Sequence, residues 1–225
     1  MPAVHRIRIR VPAKEFLMEE TKKQNTRWSA NKTFTLVGLA MLTAIVVVLQ
    51  AVPATAVKFG TENITLVLMP IIIGSALFGW KSGAWLGAVF GAVVLFTGQA
   101  AFFMTLNPAG AIITVMLKGI LAGLAAGIVY TFIAKKNTPK TDFIAVIASG
   151  ITAPVVNTGI YLLGCAVFFR DIIIAGAAEK GVNPFAYAIL FMAGGNFLFE
   201  LGINLVLASV IVYIIKLCKK LIKRN

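Results

Sequence analysis

The chain has 225 residues, of which 59% are hydrophobic and only 13% charged, with a mean hydropathy of +0.91. Soluble domains carry about a quarter charged residues, so the composition excludes an ordinary water-soluble domain and points to a bilayer as the solvent. The formal net charge of +13 does not argue for nucleic acid, because the basic residues sit at the two ends and in short connectors, where they report membrane topology.

In chain order, a basic leader (residues 1–32, with HRIRIR at 5–10) is expected to be disordered and cytoplasmic, and Met18 in MEETKKQ is an alternative start. The first apolar run begins only after this leader, so a cleavable signal peptide is not expected. Six apolar segments follow: Phe34–Val52, Ile64–Phe78, Gly83–Gly98, Gly110–Ala134, Phe143–Phe169 and Phe185–Ile215. Several reach the roughly 20 residues that cross a bilayer as helix. The second and third are short, read as a helical hairpin with a tight WKS connector at Trp80–Ser82, and Pro70 is expected to kink the second.

Lys and Arg crowd the leader, the connector with Lys135, Lys136 and Lys140, and the tail (218–225), while Lys58, Arg170 and Lys180 in the other loops are balanced by Glu62, Asp171 and Glu179. The positive-inside rule then places both termini in the cytoplasm, which requires an even number of spans. The expected fold is an all-α membrane protein, a six-transmembrane-helix bundle over residues 33–217.

Gly83, Gly87 and Gly91 on the third span and Gly119, Gly123 and Gly127 on the fourth form ladders at i, i+4, i+8, read as helix packing. Cys165 and Cys218 are read as small apolar residues, with no metal-ligand pattern around them. Ala40 and Ala44 repeat the small-xxx-small spacing on the first span, which serves internal packing or, if it faces outward, another membrane protein.

Polar groups inside apolar spans stand out, because a charge at mid-bilayer costs about 2.5–3.5 kcal/mol and so belongs in an interior or a cavity. They are Lys118 in VMLKGIL, Asn157 and Tyr161 in PVVNTGIYLLG, and Asn196, Glu200 and Asn204 in NFLFELGIN. A buried Lys118 to Glu200 ion pair is one reading. The other is a solute site open to the outside, formed by Lys118, Asn157, Tyr161, Asn196 and Glu200 among apolar walls. Pro154 and Gly194-Gly195 mark places where helices could bend around a ligand.

Six short spans, AMLTA at Ala40–Ala44, the hairpin LVLMPIIIGSALFGWKSGAWLGAVFG and a long outer loop before the last span resemble the substrate-binding S component of energy-coupling factor (ECF) vitamin transporters. The resemblance runs from about residue 33 to the C-terminus and is nearest to the pantothenate, riboflavin and hydroxymethylpyrimidine group. It implies a prokaryotic plasma-membrane protein that captures a water-soluble vitamin or precursor. A transmembrane scaffold (T) subunit and two cytoplasmic ATPase subunits would complete the importer, with Ala40 and Ala44 docking the scaffold. An embedded cation beside amides favours a solute with a carboxylate, hence pantothenate. With no GxxxxGK[ST] loop, any ATP is used by partners. No cofactor, metal or nucleic acid is expected in this chain. An enzyme is not expected either: there is no HExxH and the single histidine is His5. A proton-coupled secondary carrier working through Glu200, and a scaffold without a solute, are the competing classes.

Overall fold

The computed structural model describes residues 13–51, 58–59, 62–63, 66–136 and 138–224, with side chains described over 32–51, 66–135, 138, 140–195 and 197–218. It divides into a unit ending at Gly38 and a larger unit from Leu39 onward. Helix α1 runs Ala13–Ala51, so the leader expected to be irregular is helical from Ala13. The physical reason is that no glycine or proline interrupts residues 14–37, while Ala, Leu, Met, Lys and Glu favour helix propagation. Residues 1–12 lie outside the described residues.

A two-residue antiparallel pair, β1 (Lys58–Phe59) and β2 (Glu62–Asn63), precedes α2 (Leu68–Phe78) and α3 (Trp80–Phe96). Their turn is made at Gly79, with φ of 90°, a conformation that a side chain disfavours. WKS is therefore the first turn of α3 and not the connector. Pro70 does not kink its helix: it sits in the first turn of α2, where no intrahelical N–H bond is lost.

Helix α4 (Ala101–Leu106) leads to α5 (Pro108–Ile133), which Asn107 caps by accepting from the Gly110 N–H at 3.0 Å, with Pro108 in the first turn. A short 3₁₀ turn (Ala134–Lys136) and a Thr138/Thr141 capping box start α6 (Pro139–Phe168). The expected outer loop is itself helical: α7 (Arg170–Lys180) ends on left-handed Gly181, and α8 (Pro184–Tyr187) runs into a π-helical stretch (Ala188–Gly194) before α9 (Gly195–Arg224). Among the described residues four stretches are long and apolar enough to cross a membrane, Lys32–Ala51, Pro108–Ile133, Lys140–Phe168 and Phe197–Cys218, with α2 and α3 shorter.

The glycine ladders do pack helices, and they pack each other. A Cβ on Gly87 would fall on the Gly119 carbonyl, and one on Gly123 would fall on the Gly83 carbonyl. Backbone thus meets backbone where α3 crosses α5, the approach that small residues permit in lipid. Helix α5 is the hub, touching α2, α3, α4 and α6. The main core gathers Ile71, Leu86, Phe90, Ala126 and Ile211, and a second cluster gathers Phe103, Ala111, Tyr161, Cys165 and Phe169 near α4 and α7. Large apolar side chains such as Phe96, Leu163 and Val206 stand exposed on the outside, as lipid-facing positions require.

Two buried hydrogen bonds tie α5 to α6: Ser149 Oγ donates to the Ala126 carbonyl at 3.0 Å and Tyr130 OH donates to Asp142 Oδ1 at 3.0 Å. Removing the second by Tyr130→Phe is expected to destabilise the bundle by about 1.5–3 kcal/mol, the range for a bond to a charged group. The check is the melting temperature in detergent; an unchanged value would show that the bond contributes nothing net.

Candidate functional site

A cavity opens where the two apolar clusters meet. Its walls take Phe90 and Val94 from α3, Phe103 from α4, Thr114, Val115 and Lys118 from α5, Asn157, Tyr161 and Cys165 from α6, and Glu200 from α9. Four of the five residues expected at a solute site therefore meet at one place, although they come from three helices and are spread over more than eighty positions. The fifth, Asn196, lies in the first turn of α9, and its side chain is outside the described residues.

Lys118 and Glu200 are buried, at 4% and 1% exposure. The Lys118 ammonium lies 5.1 Å from the centroid of the Tyr161 ring, within the range where the ring's negative face attracts a cation. Asn157 Oδ1 and Thr114 Oγ1 are buried without a hydrogen-bond partner. Unlike exposed polar atoms, such groups cost free energy until something bonds to them. Phe103 meets Tyr161 and Phe169 edge to face, with centroids 6.1 and 4.9 Å apart, giving the cavity an aromatic flank.

The NFLFELGIN stripe divides. Glu200 faces the cavity, whereas Asn204, also buried, packs toward Gly150 at the contact between α6 and α9. Glu200 and Asn204 are four residues apart, so on a helix of 3.6 residues per turn they differ by about 40° in direction and stand about 6 Å apart along the axis, which places Asn204 beyond the cavity wall. The π-helical stretch Ala188–Gly194 ends where Gly194-Gly195 was expected to allow bending. Wide-turn segments of this kind are frequent beside functional sites.

Sequence reading missed Gln50, Gln99, Thr114, Phe103 and Phe169. An amide at the end of an apolar span, such as Gln50, was the available signal; aromatic and threonine side chains in a membrane helix carry none. Cys165, read as apolar packing, is indeed buried but also lines the cavity. Among the described residues no group of three His, Cys, Asp or Glu side chains is placed to hold a metal.

Helices long enough for a bilayer, closely packed by glycine and enclosing polar groups, define a polytopic helical membrane protein. Residues 34–212 match the family described as ECF transporter, substrate-specific component, and the chain belongs to that family. It is thus a transport subunit and not an enzyme. The solved structure of ThiT from Listeria monocytogenes is similar in fold, with a TM-score of 0.62 and 20% identity, covering 85% of this chain and 98% of that one. No curated protein sequence matches.

Proposed function

We propose that this protein captures a water-soluble vitamin or precursor from outside the cell, with pantothenate the best reading, and hands it inward with a transmembrane scaffold subunit and two ATPase subunits. The convergence of Lys118, Asn157, Tyr161 and Glu200 on one cavity supports this most. In the proposal the six spans place both termini in the cytoplasm of a prokaryote and open the cavity outward. Lys118 takes the carboxylate, Asn157 and Asn196 take hydroxyl or amide groups, and the aromatic flank covers the carbon skeleton.

The cavity is small, about 30 Å³, room for about two waters. A vitamin therefore enters only if the walls part.

The test is to purify the protein in mild detergent, identify any bound small molecule by mass spectrometry, and titrate pantothenate while following the melting temperature. A ligand that binds only the folded state stabilises it by about 2.7 kcal/mol at one hundred times Kd, so a dose-dependent rise is expected. Lys118→Met should weaken binding about tenfold or more, as loss of a charge-assisted hydrogen bond does. An empty protein that ignores pantothenate, riboflavin and hydroxymethylpyrimidine alike would sink the reading. So would solute transport by this chain alone in liposomes, which belongs to a secondary carrier.

A further inference from the structure

Gln50 stands one residue from the end of α1, and Gln99 lies in the turn between α3 and α4. Both line the cavity, and neither belongs to the later helices that carry Lys118, Asn157, Tyr161 and Glu200. Helices α1 and α3 finish, and α5 begins, at the same end of the bundle. Lys118 is ten residues into α5, about 15 Å along its axis. The two glutamines thus line the cavity at the end of the bundle where α5 begins, and Lys118 lies deeper along α5.

Their hydrogen bonds assign which atom Gln50 presents. Gln99 Nε2 donates to the Gln50 backbone carbonyl at 3.1 Å and to Thr97 Oγ1 at 2.9 Å. A carboxamide has its donors on one side and its acceptor on the other, so committing the nitrogen turns Gln99 Oε1 toward Gln50. Gln50 meets it with Nε2, at 2.6 Å. What remains is Gln50 Oε1, buried and without a hydrogen-bond partner, on a side chain only 3% exposed. Thr114 Oγ1 and Asn157 Oδ1, also on cavity-lining residues, share that condition. Three helices therefore each bring one buried oxygen that can accept a hydrogen bond.

We propose that Gln50, held in place by Gln99, is a specificity-determining residue of the pocket that accepts an N–H or O–H from the cargo. The cargo is then a solute with several hydrogen-bond donors, of the polyol or amide kind, and not a donor-poor acid. This rests on the solute-capture reading and deepens it. A site built to bond a donor rejects an analogue lacking it, because the buried acceptor is left unpaired.

The experiment is isothermal titration of purified wild type, Gln50→Met and Gln99→Met with pantothenate, riboflavin and hydroxymethylpyrimidine, alongside ligand-free melting temperatures. Methionine keeps the length of glutamine and removes its polar end. Gln50→Met is expected to weaken the best-bound compound about tenfold, the effect of one hydrogen bond; both variants lose the Gln50–Gln99 bond, so their ligand-free melting temperatures should fall alike while their affinities differ. Gln99→Met should weaken it less, because the Gln50 oxygen remains but is no longer held. Equal binding by wild type and Gln50→Met would overturn this inference while leaving solute capture standing. Equal losses of affinity in both variants would make the pair a tie between α1 and the α3–α4 turn, and would also overturn it. A wild type that binds none of the three overturns the solute-capture reading and this inference with it.

Discussion

Tryptophan at both Ala40 and Ala44 should abolish solute uptake by cells while leaving the affinity of the purified protein unchanged. Both alanines are exposed on α1, beside exposed Met41, Ile45 and Val48. Other positions around the helix are occupied: Val46 is buried in the core, and Thr43 Oγ1 accepts from Trp85 Nε1 at 3.3 Å. Among the described residues of α1, only Gln50 lines the cavity, six residues beyond Ala44 and so about 9 Å along the axis. Two indoles on a flat small-residue stripe would hold a neighbouring helix away by more than the contact range of dispersion forces, and in lipid those forces supply much of helix association. Uptake is measured in cells that also express the scaffold and ATPase subunits, and affinity by titration in detergent. Loss of binding together with uptake would mean that the stripe packs within the subunit, and unimpaired uptake would mean that nothing docks there.

Gly119→Leu should yield no folded protein, whereas Gly202→Ala should fold as well as the parent. A Cβ on Gly119 falls on the Gly87 carbonyl and lies 3.1 Å from Phe90 Cδ1. The obstacle is backbone, which cannot swing aside like the end of a long side chain, so α3 and α5 would have to separate along their whole contact. That contact carries the hub of the bundle and two walls of the cavity. A Cβ on Gly202 meets nothing within 4 Å, and alanine in a helix is favoured over glycine by about 1 kcal/mol. Size-exclusion profiles and melting temperatures of the two variants check this. A Gly119→Leu protein with the parental melting temperature would contradict the close crossing.

Much of the site was legible because a bilayer makes polarity informative. In a span where every exposed position prefers hydrocarbon, Lys118, Asn157 and Glu200 carry a cost that requires an interior location, and all three are buried at the cavity. The glycine ladders were legible as packing, yet nothing in their spacing said that the third span's ladder meets the fourth's. Gln50 and Gln99 were passed over, since an amide at a span end ordinarily faces headgroups and water.

The sequence by itself determined the solvent, the approximate spans and which polar groups had to be inside. Composition and the cost of a charge in hydrocarbon act on each residue separately, and these properties follow from them. Tertiary structure alone decided which inside groups meet: that Glu200 shares a cavity with Lys118 while Asn204 does not, and that Gln50 joins from the first helix. The physical reason is that side-chain direction turns by 100° per residue and helix ends begin at different heights, so convergence depends on how rigid helices pack and not on what any one of them contains.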